Sequence, residues 1–546
     1  AGSYGTPWVV KDTQNNDWKV DGVALKAQIV AYDGQVTPPS TSCGDPLLDT
    51  ITPGDLWNAG SPTSSSLGKS YQQEDARIFN FSWGSPSNTY SSNSVDIDQF
   101  MAARRDAMVF VSAGNNGADT SPADGIPDEF TLGTPATTKN GLAIGASRNA
   151  NLGVDSPESR AAFSSVGPAV DKNNVNRIAP QLMAPGDEPG QGTLGIPSEF
   201  ACRSNDNGQS DPVMCDLIQG VEGTSFASPA AAGAGLIVRD YFSQGFYPDK
   251  EQNETTRTGS ISGALVKAIL VTSAHWMHTP PGVNLTKNFR FNNEQGYGRI
   301  QLDHALPIQN SADSPTGLIV HDPWSNTSSM SLDGALTASG VTTDTFTVCN
   351  DTEDLRIVLA WTDEATAPLG ALENNLNLEV TSPTGKVYRG NYFTDDANRS
   401  GLIDNTGFLK EDCPPIGSRL QNLEVDAGPW SLPTCANSKL PGKSDIPQIF
   451  DVNNPTEAIF LSPDPEGNPH ETGYDPTDPA NYLDGVCDGG SSAPGGVNGL
   501  GLCGNDLDCA ADPSVPLTTD YCNGGTKQPE LGEWTITVSA AADVSG

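Results

Sequence analysis

Between residues 26 and 147 short apolar runs alternate with a helical pattern, and this alternation narrows the fold more than any other feature of the chain. KAQIVAYD (26–33), ARIFNFSWGS (76–85), MVFVSAGNNG (108–117) and NGLAIGAS (140–147) have strand length and strand composition. SVDIDQFMAARRDA (94–107) has helical spacing and runs straight into the third of them, and ALVKAILVTSAHWM (264–277) repeats that spacing later. Strands that alternate with helices pair in parallel, because the crossover helix returns the chain to the starting end of the sheet. Residues 1–312 are therefore expected to form an α/β unit, a parallel sheet with helices on both faces.

After SADSPTG (311–317) the texture changes. DTFTVCN, DLRIVLAWTD, NLNLEVTSPTGKVYRG and GEWTITVSA alternate apolar and polar residues between turn signals, the pattern of an antiparallel β-sandwich over 313–546. Strand signals are sparse over 395–530, and a Cys-rich insert occupies about 462–530.

The chain has 546 residues, 67 acidic and 29 basic, for a formal net charge of −38. Nucleic-acid backbones and anionic membranes repel such a surface, so neither is expected as a partner. Its acidity otherwise reads as solvated surface and names no function. No run of about 18 apolar residues occurs, and no membrane-spanning helix is expected. The chain opens at Ala1 without methionine or signal peptide, which reads as a processed start. Ten cysteines, with Cys487, Cys503, Cys509 and Cys522 in one short window, point to disulfides of open connectivity and to a secreted protein. That window holds no Cys-x-x-Cys pair, which disfavours metal ligation.

Four segments carry chemistry in a fixed order: NFSWGS (80–85), SAGNNG (112–117), FSSVGP with MAPG (163–168, 183–186), and GTSFASPAAAG (223–233). Their wording and order resemble the subtilisin-like serine peptidases, or subtilases, over roughly residues 20–310. The resemblance implies that Ser225 is the nucleophile, set with Thr224 at a helix N-terminus whose unpaired N–H groups favour negative charge. Pro229 is read as tolerable because the first turn has spare N–H groups, and Ala227, Ala230, Ala231, Ala232 and Gly233 as a close-packing face. Asn115 is expected to donate its side-chain amide to the oxyanion. Ser82, Trp83 and Gly84 resemble the edge along which a substrate lies extended. Ser112, Ala113 and Gly114 resemble one wall of the primary specificity pocket, and with no charge there a neutral or apolar preference is expected.

ADTSPADGIPDEF (118–130) brings Asp119, Asp124 and Asp128 just past Asn115, and oxygen-rich loops of this kind suit a structural Ca²⁺, though the spacing is not that of an EF-hand. GNDLDCAADP (504–513) is a second acidic candidate. WTD (361–363), NNLNLEVTSPTGKVYRGN (374–391), FDVNNPTEAIF (450–460) and GEWTITV (532–538) resemble the jelly-roll domain of certain large subtilases, which implies a role in stability or substrate access. NNEQGYGRIQLDHAL (292–306) resembles the end of their catalytic domain.

A serine hydroxyl needs a base, and the family order is Asp, His, then Ser. The family's H-G-T-H-x-x-G segment is absent, and all five histidines come after Ser225. His275 and His278 read as residues at a helix C-terminus, and His304, His321 and His470 as turn or loop residues. A Ser…Asp…His order would need G-x-S-x-G, and Ala227 stands where the last glycine belongs. Ala1–Gly5 and GVALKAQIVAYD resemble the segment immediately downstream of the family's histidine helix, so the missing Asp and His are expected on a separate N-terminal fragment of the same precursor. The alternative is a catalytically inactive binding protein. Loss of the histidine alone costs subtilisin close to its full triad contribution, about 2 × 10⁶ in kcat, so the chain by itself is expected to be inert.

Overall fold

A computed structural model describes residues 56–120, 127–148, 159–170, 176–187, 218–277, 292–311, 371–383, 387–391, 453–461 and 531–541, most of 314–365, and short pieces at 9–11, 17–19, 23–24, 27–30, 196–199, 385, 451, 486–488 and 500–502. The strands of the main sheet are β1 (Ile78–Phe81), β2 (Met108–Ser112), β3 (Leu142–Arg148), β4 (Leu182–Asp187), β5 (Ala274–His275) and β6 (Arg299–Ile300). Their order across the sheet is β5-β6-β4-β3-β2-β1. Every pairing is parallel except β5 on β6, so the expected parallel sheet is a mixed one with an antiparallel edge. Ile78 pairs with Met108 and Phe81 with Val111, which leaves β1 at the other edge.

Neighbouring strand residues face opposite sides of a sheet, and β1 displays this directly. Phe79 meets Phe100 of α2 (Ser92–Ala103) edge-on with ring centroids 5.1 Å apart. Ile78 instead faces α3 (Thr224–Ser243), where a Cβ on Gly235 would stand 3.5 Å from Ile78 Cδ1 and only 2.8 Å from Phe110 Cζ. Helices thus cover both faces, as expected, and β2, covered on both, is buried along its whole length. The Ala and Gly residues of α3 let the helix axis come close to the sheet, which anchors its N-terminus.

Two expected elements differ. Residues 27–30 of the strand expected over 26–33 form no ladder, and residue 26 and 31–33 lie outside the described residues. Backbone groups of a strand need a partner strand, and among the described residues none lies beside this segment, so Ile29 stays 68% exposed. The helix expected over 264–277 is α4 (Gly263–Thr272), and the chain then turns at Ser273 into β5. His275 therefore sits on a strand rather than at a helix C-terminus, while His278 lies outside the described residues. Arg356 donates to the Thr272 and Ala274 carbonyls at 3.0 and 2.9 Å, a cation placed on the free acceptors at this helix end.

The later residues form antiparallel sheets. Strands β7 (Val341–Val348), β8 (Leu355–Ala360), β9 (Leu376–Thr381), β10 (Val387–Arg389), β11 (Thr456–Leu461) and β12 (Gly532–Ala540) give one sheet of order β7-β12-β9-β10 and a second of β8 with β11. Strand β11 is buried on both faces, and its alternate residues enter different cores. Ala458 and Phe460 join the core of the main sheet, whereas Ile459 and Leu461 pack with Leu378, Tyr388 and Trp534. The two-stranded sheet is thus a shared layer between the two halves. Polar contacts reinforce it: Lys139 and Asp363, both with fully buried side chains, pair at 2.7 Å, and the Asn140 amide meets the Asp363 backbone in both directions. Cys349 is exposed and free; the other cysteine side chains, and most of the Cys-rich insert, lie outside the described residues. Among the described residues no helix is long and apolar enough to cross a membrane.

Candidate active site

The loop after β2 turns at Gly114, whose φ of +112° suits glycine, and a Cβ there would stand 2.8 Å from Ser165 Oγ. This turn sends the Gly114 N–H to Thr224 Oγ1 at 3.1 Å and presents Asn115 to the start of α3. Asn115 Oδ1 accepts from both the Thr224 N–H (3.0 Å) and the Thr224 hydroxyl (2.8 Å). With its oxygen committed to Thr224, the exposed Asn115 holds its Nδ2 beside the start of α3, 3.5 Å from where a Cβ on Gly223 would stand. Gly223, at φ +143°, is the N-cap of α3 and provides no side chain. With the Thr224 N–H on Asn115 and the Phe226 N–H on the Gly223 carbonyl, the Ser225 N–H is the donor this helix start can offer an anion.

Ser225 is the second residue of this helix and half-buried. Its Oγ donates to the Ser82 carbonyl at 3.2 Å, and Ser82 Oγ donates to the Ser225 carbonyl at 2.8 Å. The structure thus brings Ser225, Thr224, Asn115, Gly114 and Ser82 together from three segments, of which the first and last are 143 residues apart. Trp83 is half-buried and Gly84 exposed beside them, where a Cβ on Gly84 would meet the Thr134 carbonyl at 2.9 Å. Ser112 and Ala113 are buried, so of the three wall residues only Gly114 reaches the surface.

No ionisable side chain among the described residues hydrogen-bonds to Ser225. His275 lies on β5, at the sheet edge opposite β1, with the His304 ring 5.8 Å away. His321 lies beyond the main sheet on a two-residue strand, and burial lowers its pKa. His470 is outside the described residues.

Of the calcium candidates, the described residues include Asp119 and Asp128 alone. Asp128 Oδ2 accepts from the N–H and hydroxyl of Thr120 at 3.1 and 2.6 Å, Asp119 is half-buried, and Asp124 and 504–513 lie outside the described residues. No group of three acidic, His or Cys side chains able to hold a metal occurs among the described residues.

Sequence reasoning missed two polar residues here. Asn80 Oδ1 accepts from the buried Ser228 Oγ at 2.7 Å, and Asn80 Nδ2 donates to Ser82 Oγ at 2.9 Å. Their spacing was the available signal: Asn80, on β1, is two residues before Ser82, and Ser228 is one helical turn from Ser225.

Residues 8–298, more than half of the chain, match the family described as the Subtilase family. The serine protease/ABC transporter B family protein tagA of Dictyostelium discoideum is 29% identical over 273 residues, 47% of this chain and 14% of that protein. Protein tagB of the same organism is 25% identical over 172 residues, 28% of this chain and 8% of its own length. The chain therefore spans a small part of the curated relatives it matches. Among solved structures, the self-cleaved protease domain of PatA is 18% identical with a TM-score of 0.25, covering 44% of this chain and 64% of that one. Sphericase is 16% identical with a TM-score of 0.27, covering 43% and 60%.

Proposed function

The chain belongs to the subtilase family, and from that premise we propose that it is the larger part of a secreted serine endopeptidase whose catalytic Asp and His come from a separate N-terminal fragment of the same precursor. One observation carries this: Ser225 is the second residue of α3, next to the Thr224 that Asn115 holds, with its hydroxyl on the Ser82 carbonyl and no ionisable side chain among the described residues hydrogen-bonded to it. The outer edge of β1, which ends one residue before Ser82, has no strand beside it among the described residues, and Ile29 and Val30 are exposed. An incoming strand has both an edge to pair with and apolar side chains to cover.

In the mechanism, the fragment's histidine takes the Ser225 proton, drawing the hydroxyl away from the Ser82 carbonyl. The serine attacks the scissile carbonyl of a peptide lying extended along Ser82, Trp83 and Gly84. The Asn115 amide and the Ser225 N–H stabilise the oxyanion, and water then hydrolyses the acyl-enzyme. Ser112, Ala113 and Gly114 carry no charge and favour a neutral or apolar residue before the cut. The antiparallel sheets after residue 340 complete a jelly-roll domain that supports the catalytic half. A structural calcium in the 118–130 loop is a separate part of the proposal, read by whether EDTA lowers the melting temperature; no step runs through it.

Intact masses of the purified protein under denaturing conditions, with N-terminal sequencing of each species, test the composition. A stoichiometric small chain carrying an aspartate and an H-G-T-H segment is expected. A single species, unreactive to a fluorophosphonate, would leave a groove that binds without cutting.

A further inference from the structure

Pro229 is the sixth residue of α3, past the first turn whose N–H groups are spare. In a regular helix residue 229 would donate its N–H to the Ser225 carbonyl, and proline has none to give. Spare donors therefore do not make Pro229 tolerable, contrary to expectation: the residue orphans an acceptor on the nucleophile itself. Ser82 supplies the replacement donor through its hydroxyl at 2.8 Å.

A hydroxyl has one proton. With that proton on the Ser225 carbonyl, Ser82 Oγ can only accept from its other neighbour, and Asn80 Nδ2 donates to it at 2.9 Å. The Asn80 amide is oriented in turn by Ser228 Oγ, which donates to Oδ1 at 2.7 Å. Ser228 is fully buried and Asn80 is exposed, so a surface amide fixes a chain of bonds that ends on the nucleophile.

We propose that Asn80 is a positioning residue for Ser225: by directing the Ser82 hydroxyl it replaces the helical hydrogen bond that Pro229 removes, and so holds the first turn of α3 against the end of β1. Displacement of a reacting group by about 1 Å can cost about 10² in rate, so one hydrogen bond at this point matters. The geometry stands on this chain alone; its catalytic consequence rests on the two-chain reading.

Asn80→Asp isolates the effect. It keeps an oxygen for Ser228 but sets a second acceptor against Ser82, which turns the Ser82 proton away from Ser225. Pro229→Ala restores an N–H for the Ser225 carbonyl, so the Asp variant should lose its effect in that background. The new negative charge acts alike in both backgrounds and cancels in the double-mutant cycle. In the isolated chain, Asn80→Asp is expected to raise the unfolding equilibrium constant about fivefold, and less than about twofold beside Pro229→Ala. With the N-terminal fragment present, fluorophosphonate labelling of Ser225 and kcat for a peptide should fall about tenfold, with KM within about twofold, and again only when Pro229 is present. Equal effects in both backgrounds overturn the proposal, as does coupling in stability with labelling unchanged. A wild-type complex that cannot be labelled at all sinks the two-chain reading instead, and the unfolding cycle then decides the hydrogen-bond relay by itself.

Discussion

Replacement of Asp363 by alanine tests whether the two halves of the chain are one cooperative structure. Its carboxylate accepts from Lys139 Nζ (2.7 Å), Glu373 N (2.9 Å), and both the N–H (2.8 Å) and the side-chain amide (3.1 Å) of Asn374. The alanine variant thus leaves a buried ammonium without its counter-charge, with only the Glu364 and Ala371 carbonyls to bond, and strands two backbone N–H groups at once. Breaking a buried ion pair from one side costs about 3–5 kcal/mol, and the stranded donors put this case at the upper end. Lys139→Met removes the cation but leaves Asp363 three donors, so it should cost about 2 kcal/mol less. Urea unfolding followed by circular dichroism and by tryptophan fluorescence reads both, since Trp276 and Trp534 are fully buried at different places in the chain. Because β11 feeds both cores, a single transition with coincident probes is expected, shifted as a whole by either variant. Two separated transitions, or a lysine variant as damaging as the aspartate one, would refute the shared-layer account.

Further outcomes follow from the same contacts. Burial lowers the Lys267 pKa from 10.5 to about 8, so the folded state disfavours its charge; that penalty is complete below pH 8 and fades as pH rises to 10.5. Stability should rise by about 3 kcal/mol across that window, and Lys267→Met should abolish the rise in a pH series of urea midpoints. Glu457 is held well above the usual carboxylate range by burial and then by Asp451, so its contribution is present in acid and lost as pH climbs through its raised pKa. Glu457→Gln, which keeps an acceptor for the Leu378 N–H, should flatten that decline. Asn115→Ala should cut kcat of the two-chain enzyme about 10²–10³-fold with a smaller change in KM, the range measured for such a donor in subtilisin. An unchanged kcat would remove Asn115 from the oxyanion site.

Several parts of this structure were legible because local sequence and tertiary role coincide. MVFVS is apolar throughout and becomes a strand covered on both faces. Gly-Thr-Ser-x-Ala-Ser-Pro becomes a helix start because glycine frees its N-cap and small residues let it close on the sheet. Other parts depend on partners that no local pattern contains. KAQI reads as a strand, yet residues 27–30 have no strand to pair with among the described residues. The 264–277 pattern runs on through AHWM because buried strand and buried helix look alike, and only the pairing of β5 with β6 separates them. Periodicity marks TEAIFL as a strand but cannot say that its alternate residues enter two cores. Pro229 reads from sequence as a first-turn proline with nothing to compensate, but it lies past the spare donors, and the donor that replaces its N–H comes from a residue 147 positions earlier in the chain.

The most direct measurement is a titration of the N-terminal fragment of the precursor into the purified chain, with fluorophosphonate incorporation at Ser225 read by peptide mass. The two-chain account predicts no labelling of the chain alone and labelling that saturates at one fragment per chain, with peptide hydrolysis rising in parallel. Labelling that needs no fragment, or none at any ratio, contradicts it.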